Sequence, residues 1–169
     1  MHTDSTKLTD TAKLLKECDA GTKMAISSIN EILEKVEDPK LNEILTHSRN
    51  AHEQLESEIH SLLNYHEEDQ KEPDPIAKGM SFIKTNFKMG MNESDTTVAE
   101  LITDGCNMGI KSLNKYLNQY KMADEISKKV TNSEILILLD IEIFILKKSL
   151  ITVRLRIYQK PLLMVTLKS

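Results

Sequence analysis

The chain predicts an all-α protein, a four-helix bundle made of two related helical hairpins joined by a long connection. Three observations carry this. Gly and Pro are scarce, with 5 and 4 among 169 residues, so long helices meet few breakers. Apolar residues recur at three- and four-residue steps along two stretches of the N-terminal half, the spacing of one helix face. One helical segment is also written twice, as "AGTKMAISSINEIL" at 20–33 and as "DGCNMGIKSLNKYL" at 104–117. Aligned without a gap, Gly21 meets Gly105, Met24 meets Met108 and Ser28 meets Ser112, with Ala25 opposite Gly109.

The first helix is expected over 5–36. Leu8, Thr11, Leu15, Cys18, Thr22, Ala25, Ile29, Ile32 and Val36 form its stripe. Asp38-Pro39 ends it, because a residue before proline avoids helical geometry, and Pro39 then suits the first turn of the next helix. That second helix, about 39–67, has the stripe Leu41, Leu45, Ser48, His52, Leu55, Ile59 and Leu62. A link this short makes an antiparallel hairpin. The polar, proline-bearing "HEEDQKEPDP" at 66–75 is a break, followed by a short amphipathic helix at 75–89. Ser94 or Asp95 caps the next long helix, about 96–120, and a fifth segment begins near residue 122.

A hairpin alone cannot bury its apolar stripe, whereas two related hairpins packed together can. The connection of residues 68–95 is long enough to cross the bundle. Two hairpins with one long crossover is the ferritin-like topology. Gly21, Ala25, Gly105 and Gly109 are then expected where the two repeated helices pack closely.

The chain resembles a group of small bacterial ferritin-like four-helix proteins of unknown function, near the YciF-type stress proteins. The residues that carry the resemblance are "LLKECDAGTKMAISSINEILEKVEDPKLNEIL", "IAKGMSFIKTNFKMG" and "AELITDGCNMGIKSLNKYL", within roughly 8–130. The resemblance implies a ferritin-like bundle with no settled activity and brings no catalytic residues with it.

Di-iron bundles draw carboxylates from all four helices and a Glu-x-x-His step from two of them. That step is absent here. His52 lies on the second helix's stripe with Glu56 one turn on, and these two are weak metal candidates only. The expected role of His52 is a core-edge histidine bonded to a neighbouring helix. His47, His60 and His66 do not share its inward face and are expected in solvent, with "NYHEED" at 64–69 a loose cation binder at most. Cys18 and Cys106 occupy stripe positions, where cysteine is usually a small buried apolar residue. No complete catalytic constellation, phosphate loop or nucleophile elbow is present, so the sequence points to a non-enzyme without a cofactor.

Net charge is −4, which provides no basic field for nucleic acid. The N-terminus lacks the pattern of a signal peptide, and two cysteines 88 residues apart suit a reducing compartment. A cytoplasmic location is expected. The chain changes character after Glu134. Residues 135–169 hold 18 Ile, Leu or Val, and six Lys or Arg against two acids leave this end at +4 and the first 134 residues at −8. Apolar residues at 135–146 face every direction, and "ITVRLRIYQ" alternates like a strand. Three readings stand: a helix covered by a partner chain, a basic apolar element at a membrane surface, or the translation of a slipped reading frame. The domain division is therefore a bundle over 1–148 and an atypical tail over 149–169. Self-association or a protein partner is expected. The functional expectation is a non-catalytic structural, stress-related or interaction module. The alternatives are a degenerate divalent-metal protein and a membrane-surface protein.

Overall fold

The computed structural model describes the backbone of residues 2–66 and 94–166, and side chains within 9–66 and 94–148. All regular structure among the described residues is helical: α1 (His2–Leu33), α2 (Pro39–Tyr65), α3 (Asp95–Gln119) and α4 (Glu125–Thr166). The short helix expected at 75–89 lies outside the described residues.

The α1–α2 corner forms as its residues dictate. Asp38 is the N-cap of α2, its side chain accepting the Leu41 N–H at 2.8 Å, and Pro39 opens the first turn. Ser94 caps α3 by accepting the Thr97 N–H at 3.3 Å. Asp124 does the same for α4 through the Ser127 N–H at 2.7 Å. Each cap satisfies a backbone donor that the first helical turn leaves unpaired.

Two sets of contacts fix the helix directions. The Asp95 carboxylate, in the first turn of α3, accepts the backbone N–H groups of Glu37 and Asp38 at 3.0 and 2.8 Å. At the opposite end, Asp10 accepts the Met122 N–H at 3.1 Å and the Thr11 hydroxyl accepts the Asp124 N–H at 3.0 Å. His66, just past α2, sits 3.5 Å from Asp124 at that same end. So α2 stops at one end of the bundle and α3 starts at the other, running parallel to α2. α4 returns, and Lys148 pairs with Asp38 back at the first corner.

The core is the sum of the facing stripes. Leu15, Cys18, Ile29 and Ile32 from α1 meet Leu41, Leu45, Leu55, Ile59 and Leu63 from α2. Val98, Cys106 and Leu113 from α3, and Val130, Ile135, Leu138, Ile141 and Ile145 from α4, close the other side. On α2 the buried residue near the end is Leu63, not Leu62, a shift of one position. α4 packs against all three other helices, while α1 and α3 are the least closely packed neighbours.

α4 departs most from expectation. Its helical backbone runs unbroken from Glu125 to Thr166 and includes the stretch "ITVRLRIYQ" that alternates like a strand. No element boundary falls at residue 149. β-branched residues disfavour a helix only weakly, so helical context overrides the period-two pattern. Over 135–146 the helix is apolar on both sides: Ile135, Leu138, Ile141 and Ile145 are buried, whereas Leu136, Ile143 and Leu146 are 62%, 45% and 50% exposed. No helix among the described residues is long and apolar enough to cross a membrane.

Candidate functional site

The loose packing of α1 against α3 leaves a cavity of about 280 Å³. The repeated segments form its two walls. Gly21, Met24, Ala25 and Ser28 line it from α1, and their counterparts Gly105, Met108, Gly109 and Ser112 line it from α3. This corrects the expectation of close helix packing at the small residues. A Cβ placed on Gly21 or on Gly105 would meet nothing within 4 Å. Gly109 does mark a close approach, but to α4: its Cβ would lie 2.8 Å from Leu138 Cδ1. The small residues thus open a space between the related helices.

His52 of α2 and Glu134 of α4 lie on the inner side of this cavity. Both are fully buried, at 0% and 1% exposure. His52 is therefore deeper than the core-edge position its sequence context implies. Its Nδ1 lies 2.7 Å from the Ser48 carbonyl oxygen. A carbonyl only accepts, so Nδ1 carries a proton and donates it. Nε2 faces Glu134 Oε1 at 3.3 Å, a charge contact whose geometry leaves Nε2 without a hydrogen bond among the described residues. Glu134 Oε2 accepts the Thr22 hydroxyl at 3.1 Å, and the same hydroxyl lies 3.0 Å from the Cys18 carbonyl. Burial pushes the His52 pKa down, but Glu134 and the Ser48 carbonyl outweigh it, so the ring titrates above its ordinary value. The ring is thus protonated more readily than a free imidazole.

Glu56, the other candidate from the sequence, is not part of this arrangement. It belongs to a cluster with Asp19 and His60 whose ligand atoms all lie within 4.8 Å of one another. His60 Nε2 is 2.9 Å from Asp19 Oδ1 and 3.9 Å from Glu56 Oε1. The Lys23 ammonium pairs with Asp19 at 2.9 Å. Asp19 is 5% exposed although its sequence position is beside the stripe. His60 and His66 are part-buried and paired, not simply solvated.

Cys18 and Cys106 are free and buried, as their stripe positions imply. Desolvation, then the negative charge of Glu134, raises the Cys18 thiol far above neutrality. Desolvation and the acids Glu142 and Glu134 push Cys106 up to about 12. A thiol so placed is a poor nucleophile.

The residue that sequence reasoning missed is Glu134. It sits 82 positions from His52, at the head of the apolar run "ILILLDIEIFIL". A lone histidine on an apolar stripe requires a buried partner, and an acid directly before an apolar run was the available signal. Comparison of the chain with known protein families, with curated proteins and with solved structures finds no match.

Proposed function

We propose that the chain is a non-catalytic, ferritin-like helical bundle that acts as a binding module, with the space between α1 and α3 as its guest site. The observation that carries this is the cavity itself, walled by two copies of one segment and backed by a buried His52–Glu134 pair. Ligand sites are concave and mostly apolar, with a few convergent polar groups. The helix order supports the ferritin-like reading. His66 and Ser94 lie at opposite ends of the bundle, and α3 runs parallel to α2, as in bundles with one long crossover. The protonation states support a binder over an enzyme. Both thiols are held protonated, Nδ1 of His52 is committed to Ser48, and Nε2 faces a carboxylate. Two free thiols suit a reducing, cytoplasmic setting. A stress-related role is the reading that the resemblance to YciF-type proteins suggests, and the exposed apolar residues of α4 suit self-association or a protein partner.

Benzene added to the full chain tests the guest site, since small apolar molecules enter dry cavities of roughly 150 Å³ and above. Amide chemical shifts are expected to move at Gly21, Ala25, Gly105 and Gly109, and to stop moving in the Gly21→Leu/Gly105→Leu variant. Shifts absent from these residues, or unaffected by filling, refute the reading. A second reading, a divalent-cation site, is favoured only by the Asp19–Glu56–His60 cluster, whose one nitrogen and two carboxylates suit a borderline metal ion. Calorimetric titration with zinc, showing one saturable site lost in Asp19→Asn, would support it.

A further inference from the structure

The chemistry of the cavity also defines its guest, provided the binding-module reading holds. The walls are apolar or small: Met24, Ile29, Leu101, Leu113 and Leu138 surround the space, with the glycines leaving it open. Its volume of about 280 Å³ is roughly twice the 150 Å³ cavity that accommodates benzene in another protein. The guest is therefore about two rings in bulk, or an equivalent alkyl group. Met108, half-exposed, lies at the rim, and an unbranched thioether adapts to guests of different outline.

The polar end of the space sets the head group. His52 Nε2 is buried, lacks a hydrogen bond among the described residues, and sits beside Glu134 Oε1 at 3.3 Å. A buried polar atom left in this state is costly unless a partner arrives. In the protonated ring, Nε2 of His52 is a donor beside the acceptor Oε1 of Glu134. A carboxylate guest would satisfy Nε2 but bring its charge against Glu134, with Glu17 as a second acid on the lining. An ammonium guest would meet the imidazolium and, at the pair itself, find Oε1 alone as acceptor for three donors. A hydroxyl accepts from Nε2 and donates to Oε1 without introducing a charge.

We propose that the guest is a neutral, largely apolar molecule of about two-ring bulk with a single hydroxyl, seated hydroxyl-first on the His52–Glu134 pair.

The test uses four probes of one shape on the full chain: 2-naphthol, naphthalene, 2-naphthoate and 2-naphthylmethylamine, followed by fluorescence and by amide shifts at Gly21 and Gly105. The expected order places 2-naphthol about tenfold tighter than naphthalene, the worth of one to two net hydrogen bonds. The two charged probes bind more weakly than 2-naphthol. Glu134→Gln, which keeps the shape and removes the charge, narrows the gap between 2-naphthol and 2-naphthoate. Gly21→Leu/Gly105→Leu, which fills the space, abolishes binding of all four. Equal affinities for 2-naphthol and naphthalene, an undiminished gap between 2-naphthol and 2-naphthoate in Glu134→Gln, or tightest binding of the amine would overturn the hydroxyl assignment while leaving the cavity as a binding site. If none of the four, nor benzene, shifts the cavity residues, both the assignment and the binding-module reading fail.

Discussion

Alanine placed in turn at Gly21, Gly105 and Gly109 separates an open cavity from a packed helix interface. All three glycines lie inside helices, where glycine is about 0.5–1 kcal/mol less favourable than alanine because of its conformational freedom when unfolded. At Gly21 and Gly105 the added methyl meets nothing within 4 Å, so no steric cost offsets that gain. Each substitution is expected to stabilise the protein by about 0.5–1 kcal/mol. Since the two methyls occupy different walls of one open space, the double variant should gain roughly 1–2 kcal/mol. For a chain of this size that raises Tm by roughly 2–8 °C. Gly109 is different. Its methyl would sit 2.8 Å from Leu138 Cδ1, and Leu138 is itself a buried core residue. Shifting that side chain off its preferred rotamer costs about 0.5–1.5 kcal/mol, so Gly109→Ala is expected to be neutral or slightly destabilising. Urea unfolding of the wild type and the four variants, monitored by circular dichroism, measures these differences. Loss of stability in Gly21→Ala or Gly105→Ala would mean that another element occupies the space, and the cavity argument would be wrong.

Two more predictions rest on the same structure. Because the folded pKa of His52 is raised, its contribution is fully present below the unfolded value of about 6.5 and is lost as pH rises through the folded value. Stability should therefore decline on the alkaline side, with a flatter profile in Glu134→Gln; parallel profiles for the two proteins would show that the pair does not titrate as described. On α4, Leu136, Ile143 and Leu146 fall on one outward stripe at seven- and three-residue steps. Sedimentation velocity should find the full chain self-associating and the Leu136→Gln/Ile143→Gln/Leu146→Gln variant monomeric, and a wild-type chain that stays monomeric on concentration refutes this.

Much of the hairpin α1–α2 was legible because each stripe has one period. Thr11, Leu15, Cys18, Thr22, Ile29 and Ile32 follow the three- and four-residue rhythm and all are buried. Asp38-Pro39 marked the corner because its local chemistry is sufficient to end one helix and cap the next. The repeat was legible as well, but not its consequence. Small residues permit either close approach or empty space, and the choice depends on how far α4 holds α1 from α3. The site was half legible for a similar reason. His52 stood out as the polar member of an apolar stripe, while Glu134 belongs to a helix whose apolar residues point in all directions. Burial of Asp19 escaped notice because its partner, His60, comes from the facing helix at a separation of 41 residues. Local patterns carry no record of such pairings.

The buried pair also determines how α4 is turned about its own axis. An ordinary amphipathic helix has one orientation that hides its apolar face, and any rotation exposes it. Over 135–146 α4 has a weaker preference: apolar residues lie on both sides, Leu138 and Ile141 inside and Leu136 and Ile143 outside, and the exposed Asp140 marks the outer side. The carboxylate at the start of this stretch removes the ambiguity. A slip by one residue swings Glu134 by about 100°, away from both His52 and Thr22, and leaves its carboxyl group buried without partners. That is among the most costly arrangements in a protein interior. Glu134 on the inside and Asp140 on the outside therefore give α4 an azimuth that its apolar residues alone do not set.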